Sequence, residues 1–155
     1  VLFVCEDNGL AIHTPIEERH GYKSLDKLVE GYNCHTLAGS GSDIQGVIGL
    51  TRQILRQMEE QPMPGFLHLS YFRFLEHVGP GQDFNVGYRS KPSTEELEQL
   101  DPVHRLETQL KEVGCSVEDM DAIRQKTTER ITACVEAAQR DPFPALSELY
   151  TGVFT

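Results

Sequence analysis

The sequence has 155 residues, a length suited to one domain, and its 24 acidic and 14 basic residues give a formal charge of −10. Hydrophobic residues make up 39% and charged residues 25%, which is typical of a soluble folded protein, and no apolar run approaches the roughly 20 residues that cross a bilayer. The negative charge repels phosphate backbones and excludes nucleic acid as a partner, while four scattered cysteines without a CxxC pair favour reduced thiols in a cytoplasmic protein.

The first part of the chain alternates predicted strands and helices. The run VLFVC predicts a buried strand that ends in the polar turn EDNG. Ser24 predicts the cap of a short helix that Gly31 ends, and NCHTLA predicts a second strand. After the loop GSGSD, Ser42 and Gln45 predict a capping box at the start of a long amphipathic helix that Pro62 ends. GFLHLSYFRF predicts a third strand, and this alternation favours parallel strands covered by helices.

The segment from Leu75 to Pro92 breaks this periodicity. It contains three glycines and two prolines and shows no alternation of apolar and polar residues. Irregular segments of this length inside a compact domain are functional or disordered, so we expect a long loop of one of these kinds.

The rest of the chain is predicted to be helical. The motif STEE predicts a capped helix, and Asp101 and Pro102 predict the N-cap and first residue of the next one. Ser116 predicts the cap of a last long helix. We therefore predict an α/β part over residues 1–100 and a helical C-terminal extension over residues 101–155.

Four motifs, in the same order and spacing over essentially the whole chain, carry a resemblance to a known family. They are VCEDNGLAIHTP, FRFLEH with the long loop that ends in GYRS, LDPVHRLETQL, and the final AAQRDPFPALSELY. Together they resemble the alpha chain of the thiamine-diphosphate-dependent 2-oxo acid dehydrogenases, the pyruvate, branched-chain and acetoin dehydrogenases. The resemblance implies an α/β thiamine-diphosphate-binding fold with a mostly parallel sheet, flanking helices and a helical C-terminal extension.

By this resemblance, the turn after the first strand holds Mg²⁺ against the diphosphate of the cofactor. Asn8 matches the amide that ligates the metal, and Leu10 matches the position whose backbone carbonyl does so; such oxygen ligands suit Mg²⁺. Ile12 and Arg73 match further positions that bind the cofactor. The family's Gly-Asp-Gly segment would precede Val1, so the chain resembles the C-terminal half of a longer subunit, truncated at its N-terminus. We expect these residues alone to be inactive and to bind neither Mg²⁺ nor thiamine diphosphate tightly.

The long loop matches the family's catalytic loop. His77 lies four residues after Arg73, as does the family histidine that binds near the reactive carbon and assists acyl transfer to a lipoyl carrier. An imidazole suits this role because it titrates near neutral pH. Asp83, Tyr88 and Arg89 match residues that order the loop, and we expect them to act through a contact between the acid and an arginine.

The loop also departs from the family. The family reads His-Ser-x-Ser-Asp after its arginine, whereas this chain reads EHVGPGQD and has Val78 in place of a serine that is phosphorylated in some animal members, which excludes that control here. Since the loop is where the family docks its lipoyl carrier, a non-oxidative thiamine-diphosphate decarboxylase or carboligase is one alternative. A cofactor-free dimerisation module is the other.

The resemblance also implies the reaction and the partners of the intact protein. The reaction is oxidative decarboxylation of a 2-oxo acid with acyl transfer to a lipoyl-bearing acyltransferase. The family works as two alpha and two beta chains, so we expect a beta subunit and a second copy of the chain as partners.

Other polar residues give weaker signals. Glu6, Asp7 and Asn8 are also typical of a turn that caps a strand end without any ligand. Four further histidines have no partner that the sequence identifies, and we assign them no role: His20, His35, His68 and His104.

Overall fold

The computed structural model describes residues 1–152, and the chain forms two compact units that divide after Leu110. In chain order the elements are β1 (Leu2–Asp7), β2 (Leu10–Ala11), β3 (Thr14–Pro15), α1 (Ile16–Arg19), α2 (Leu25–Glu30), β4 (His35–Ser40), α3 (Ile44–Glu60), β5 (Gly65–Ser70), α4 (Thr94–Leu100), α5 (Pro102–Glu112), α6 (Val117–Arg140) and a 3₁₀ helix (Leu146–Tyr150). Within residues 1–152, none of the helices combines the length and the apolar character that a membrane span needs. The predicted α/β class, with a parallel sheet and flanking helices, is confirmed.

Three strands of the first unit form a parallel sheet in the order β1-β5-β4. The last residue of the central strand, Ser70, lies opposite Asp7 of β1 and Ser40 of β4. Because the three strands run in one direction, their carboxyl ends meet at a single edge, which is where open α/β sheets bind ligands. The short antiparallel hairpin of β2 and β3 follows β1 at this edge.

A small hydrophobic core joins α3 to the sheet. Ile54 of α3 is fully buried and clusters with Leu67 and Leu69 of β5. Partly buried hydrophobic residues surround this cluster: Leu2, Leu37, Val47, Leu50 and Met58. Full burial of such a side chain contributes about 1.5–3 kcal/mol, so this contact holds the helix on the sheet. A Cβ atom at Gly39 would lie 2.4 Å from Leu50 Cδ1, so a larger residue there would require the Leu50 side chain to move.

Two strand predictions need correction. The first strand is not buried, since Phe3 and Val4 are 52% and 54% exposed on a strand at the edge of the sheet. The third strand does not extend to Phe74 but ends at Ser70, where both of its neighbours also end. The Tyr71 amide still donates to the Asp7 carbonyl at 2.9 Å, and beyond it no strand of the described residues pairs with this backbone.

The predicted capping box at Ser42 is also wrong. Helix α3 begins at Ile44, and Asp43 is its N-cap, with the carboxylate accepting from the Gly46 amide at 3.1 Å. A carboxylate is favoured here because the helix N-terminus carries partial positive charge. The buried Ser42 hydroxyl instead donates to the Leu100 carbonyl at 2.7 Å, which ties the end of α4 to this edge of the sheet.

The other predicted helix starts are confirmed. Ser24 caps α2, and Ser93 and Glu96 form a capping box at α4. Asp101 accepts hydrogen bonds from the first amides of α5, which begins at the predicted proline. In the second unit, Ser116 caps α6.

Candidate active site

The turn after β1 stands at the carboxyl edge of the sheet. Asp7 Oδ1 accepts from the Gly9 amide at 2.7 Å, and Asn8 Oδ1 accepts from the Leu10 amide at 2.9 Å. Both contacts are Asx turns, and Gly9 supplies the left-handed conformation the turn requires, with φ of 72°. Asn8 Nδ2 donates to the Tyr71 hydroxyl at 3.3 Å. The polar residues therefore cap the strand end, and the same contacts fix the direction of the Asn8 amide.

The Leu10 carbonyl receives no hydrogen bond from its ladder partner. That partner is Pro15, and the neighbouring Gly9 carbonyl accepts from the Ile16 amide at 3.1 Å, so Leu10 and Pro15 are the pair of the antiparallel ladder that exchanges no hydrogen bonds. An amide oxygen such as Asn8 Oδ1 has a second lone pair beyond the one that accepts from the backbone. Both atoms are hard, neutral oxygens, the type of donor that Mg²⁺ prefers.

The tip of the hairpin is strained. Ile12 has φ of 64°, a left-handed conformation that is rare for a β-branched residue and costs about 1–3 kcal/mol. Its carbonyl accepts from Arg73 Nη1 at 3.1 Å, across 61 positions in the sequence. Strain of this kind collects at ligand clamps, and here it accompanies a contact between two positions predicted to bind the cofactor. The adjacent His13 ring lies 4.5 Å from the ring of Tyr88.

A second group of side chains meets at Asp83, which is only 3% exposed. Its carboxylate accepts from Arg73 Nη2 at 2.9 Å and Arg89 Nε at 2.8 Å, and also from Arg89 Nη2 and the Tyr88 hydroxyl. Burial alone raises the pKa of Asp83, but the hydrogen bond and charge of Arg89 and the charge of Arg73 outweigh it and hold this pKa below its ordinary value. The contact between the acid and an arginine that we expected in the loop is present and involves both arginines.

Arg89 links the two ends of the loop. It donates from Nη1 to the Arg73 carbonyl and from Nη2 to the Leu75 carbonyl at 3.2 Å, and its guanidinium lies 4.4 Å from the centre of the Phe84 ring. Arg73 Nε is buried and has no hydrogen-bond partner among the described residues. A buried donor left unpaired costs about 1–3 kcal/mol, and such exceptions are found at functional sites.

His77 lies exposed in a short closed segment of the loop. Glu76 closes this segment, because its amide donates to the Gly81 carbonyl at 2.8 Å and its Oε1 accepts from the Gly81 amide at 3.1 Å. The segment leaves the imidazole open to solvent. The catalytic role of His77 stays a prediction.

A cleft of about 610 Å³ opens between the strand ends, the start of the loop and the helix starts. Its walls include the following side chains: Glu6, Ile44, Leu69, Phe72, Arg73 and Leu100. This volume lies within the range of small-molecule sites, which are mostly apolar with a few polar groups.

Sequence reasoning missed one polar cluster. His68, in the middle of β5, contacts Asp7 Oδ2 with Nε2 at 3.0 Å and Asp26 Oδ1 with Nδ1 at 2.8 Å. Burial lowers the pKa of His68, but hydrogen bonds to Asp7 and Asp26 and their charges outweigh it and raise this pKa above its ordinary value. The three residues come from three separate elements, so no spacing in the sequence signals their contact.

Comparisons with known proteins find similarity over nearly the whole chain. The sequence model of the family described as Dehydrogenase E1 component matches residues 1–147. The pyruvate dehydrogenase E1 component subunit alpha of Rickettsia prowazekii is 24% identical over 155 residues, which cover 99% of this chain and 47% of the relative. The subunit of the same name from Zymomonas mobilis is 24% identical over 154 residues, 99% of this chain and 43% of the relative. The mitochondrial 2-oxoisovalerate dehydrogenase subunit alpha of Homo sapiens is 25% identical over 156 residues, 99% of this chain and 35% of the relative. The chain therefore spans less than half the length of these curated relatives.

Proposed function

The chain belongs to the dehydrogenase E1 component family, and we propose that it forms part of the alpha subunit of a thiamine-diphosphate-dependent 2-oxo acid dehydrogenase. The relatives are named for pyruvate and 2-oxoisovalerate dehydrogenases, so the proposed substrate is a 2-oxo acid. The observation that carries the proposal is the hydrogen bond from Arg73 to the Ile12 carbonyl. It joins two separate motifs at the edge of a parallel sheet where α/β proteins bind ligands.

The proposed fold is the thiamine-diphosphate-binding fold. The parallel sheet and the turn at its carboxyl edge support this finer assignment. The same edge holds the hairpin, the start of the loop and the cleft of about 610 Å³, so the predicted cofactor positions at the turn, at Ile12 and at Arg73 lie together.

The turn after β1 would hold the metal and the diphosphate. Asn8 Oδ1 and the Leu10 carbonyl would ligate Mg²⁺, and the diphosphate would supply further oxygens and the negative charge that these neutral ligands lack. Within residues 1–152, no group of three or more His, Cys, Asp or Glu side chains is placed to hold a metal ion.

The proposed chemistry divides between cofactor and protein. Thiamine diphosphate, when bound, supplies the carbanion stabilisation that decarboxylation of a 2-oxo acid needs. Arg73 holds the hairpin tip through the Ile12 carbonyl, and its contact with Asp83 couples the hairpin to the loop. His77, exposed on the loop, would move a proton at an imidazole nitrogen during acyl transfer to the lipoyl carrier.

The proposed partners follow from the family. They are a beta subunit, a second copy of the chain and a lipoyl-bearing acyltransferase. The exposure of His77 supports the last of these, because a carrier that receives the acyl group must reach the imidazole from solvent.

Assays of the full-length natural protein with a 2-oxo acid test the proposal. We expect acyl transfer to a lipoyl carrier that requires both thiamine diphosphate and Mg²⁺. Release of acetaldehyde or an acyloin without transfer would instead favour the non-oxidative decarboxylase or carboligase. A protein that bound no thiamine diphosphate would favour the cofactor-free module.

A pair of matched variants tests the role of Arg73 in the same assay. R73K keeps the charge but loses the planar fork that reaches the Ile12 carbonyl and Asp83 together, so more thiamine diphosphate should be needed for half-maximal activity. R52K changes an exposed arginine of α3 in the same way and should leave this concentration unchanged. Equal values for the two variants would contradict the assignment of Arg73.

A further inference from the structure

His68 is held between two carboxylates that lie on different elements. Asp7 ends β1, Asp26 lies in the first turn of α2, and His68 lies on the central strand. The side chain of His68 is 15% exposed, and those of Asp7 and Asp26 are 20% and 32% exposed. The contacts of the imidazole therefore join helix α2 and the edge strand β1 to the central strand of the sheet.

The two contacts of His68 require a hydrogen on each of its two ring nitrogens. An ionised carboxylate only accepts hydrogen bonds, and a neutral imidazole donates from one nitrogen alone. At 3.0 Å and 2.8 Å, the two contacts fit an imidazolium that donates to Asp7 and Asp26 together. Loss of the proton would leave one of these partly buried carboxylates without its donor.

The Asp7 carboxylate carries this contact into the turn. Its Oδ2 atom accepts from His68, and its Oδ1 atom accepts from the Gly9 amide at 2.7 Å. The next turn contact joins Asn8 Oδ1 to the Leu10 amide at 2.9 Å. The orientation of Asp7 thus determines where the turn from Asn8 to Leu10 stands above the strand end.

We propose that His68 is a positioning residue. It holds the Asp7 carboxylate, which also binds the Gly9 amide, and Asp7 in turn sets the position of the turn that presents Asn8 Oδ1 and the Leu10 carbonyl. This inference rests on the proposed function, because it concerns the same metal and diphosphate site. His68 acts through Asp7 and does not touch the proposed ligands. Its contribution to metal affinity is that of an outer residue, whose loss costs about 10–100-fold.

The groups around His68 are mixed in charge. Cys5 lies opposite His68 in the register of β1 and β5. The titratable and charged side chains that line the cleft of about 570 Å³ beside His68 are Asp7, Glu17, His20, Tyr22, Lys23 and Asp26. Asp7 and Asp26 are the two that contact the imidazole, so they dominate its protonation.

The test measures Mg²⁺ affinity by calorimetry on the full-length natural protein with thiamine diphosphate present, at several pH values between 5.5 and 9. The quantity compared is the ratio of the variant dissociation constant to the wild-type one at each pH, because the titration of the diphosphate itself cancels in this ratio. For H68Q we expect a ratio of about 10–100 at the lowest pH and a smaller ratio at high pH, where Asp7 and Asp26 share the single donor that the neutral wild-type imidazole retains. The control is H104Q, an exposed histidine of α5, whose ratio should stay near 1.

A second variant keeps the inference testable if H68Q does not fold. D26N retains an oxygen that accepts from His68 but removes one charge, so the imidazole should lose its proton at lower pH than in the wild type. Its affinity should match the wild type at the lowest pH and weaken earlier as pH rises.

Three results would overturn the inference. An H68Q ratio near 1 at every pH would show that His68 does not position the turn, and a large ratio that does not change with pH would show a role in packing alone. A D26N affinity that followed the wild-type pH profile would show that the paired carboxylates do not control the imidazole. In each case tight wild-type binding would leave the proposed function intact, whereas no Mg²⁺ binding by the wild type would overturn the proposed function and this inference together.

Discussion

Replacement of His77 by alanine separates a catalytic role from a structural one. His77 is exposed, so its loss opens no cavity, and the free energy of unfolding should change by less than about 0.5 kcal/mol. A lost proton-transfer group lowers turnover by about 10²–10⁴-fold. At 1.36 kcal/mol for each factor of ten, this is about 2.7–5.4 kcal/mol of activation free energy. The expected loss in catalysis is therefore several times larger than the largest expected loss in stability.

The assay follows acyl transfer from a 2-oxo acid to a lipoyl carrier by the full-length protein. Thiamine diphosphate affinity and the unfolding midpoint are measured on the same preparations. We expect H77A to lose about 10²-fold or more in turnover while both of the other quantities stay close to the wild type. V78A changes the adjacent side chain, which is 82% exposed, and serves as the control that should lose no turnover.

Two results would contradict this reasoning. If H77A kept wild-type turnover, the family role of this histidine would not apply, and the segment EHVGPGQD would be a structural cover for the site. If V78A lost as much turnover as H77A, the effect would belong to the shape of the loop and not to the imidazole.

Three further variants or measurements test other parts of the structure. At pH 7, D83N should unfold at a lower temperature than the wild type. A carboxyl whose pKa is lowered by folding contributes stability above its unfolded pKa and loses it as pH falls through the folded pKa, so the difference between the two melting temperatures should begin to shrink only below pH 3.8. An equal difference at all pH values in thermal melts would contradict this. At pH 8, Cys5 should react with iodoacetamide more slowly than the exposed Cys134. Burial and two neighbouring carboxylates raise the pKa of Cys5 and so reduce its thiolate fraction. Mass spectrometry of the labelled peptides measures the two reactions, and faster labelling of Cys5 would contradict the prediction. I54A should lose about 2–5 kcal/mol in unfolding by denaturant, while L55A, on a side chain that is 44% exposed, should lose much less; similar losses would place the core elsewhere.

The sequence alone determined most of the helix starts and the class of fold. At three of the predicted caps, Ser24, Ser93 and Ser116, the side chain accepts a hydrogen bond from the amide three residues later. This contact depends only on neighbours in the chain. Each strand and helix also shows its own periodicity of apolar residues, and the alternation of these patterns along the chain predicted the parallel sheet. The family resemblance also lies in the sequence, because its motifs are short contiguous runs.

Where local signals compete, the tertiary structure decided between them. Ser42 and Asp43 are both good capping residues. The Ser42 hydroxyl donates a hydrogen bond to the Leu100 carbonyl, 58 positions away, and Asp43 is therefore the residue that caps the helix. The apolar run at β1 similarly predicts a strand but not its place in the sheet. The order β1-β5-β4 makes it an edge strand and leaves Phe3 half exposed.

The candidate site shows the same division. The sequence supplied Asn8, Ile12 and Arg73 as separate motif positions, and the fold brought the last two into hydrogen-bond contact. No sequence pattern placed His68 between Asp7 and Asp26, because that contact depends on the register of two strands and on the path of the helix that lies between them in the chain. Contacts between distant segments leave no period or spacing in the sequence, and only the packing of the sheet and its helices brings these side chains together.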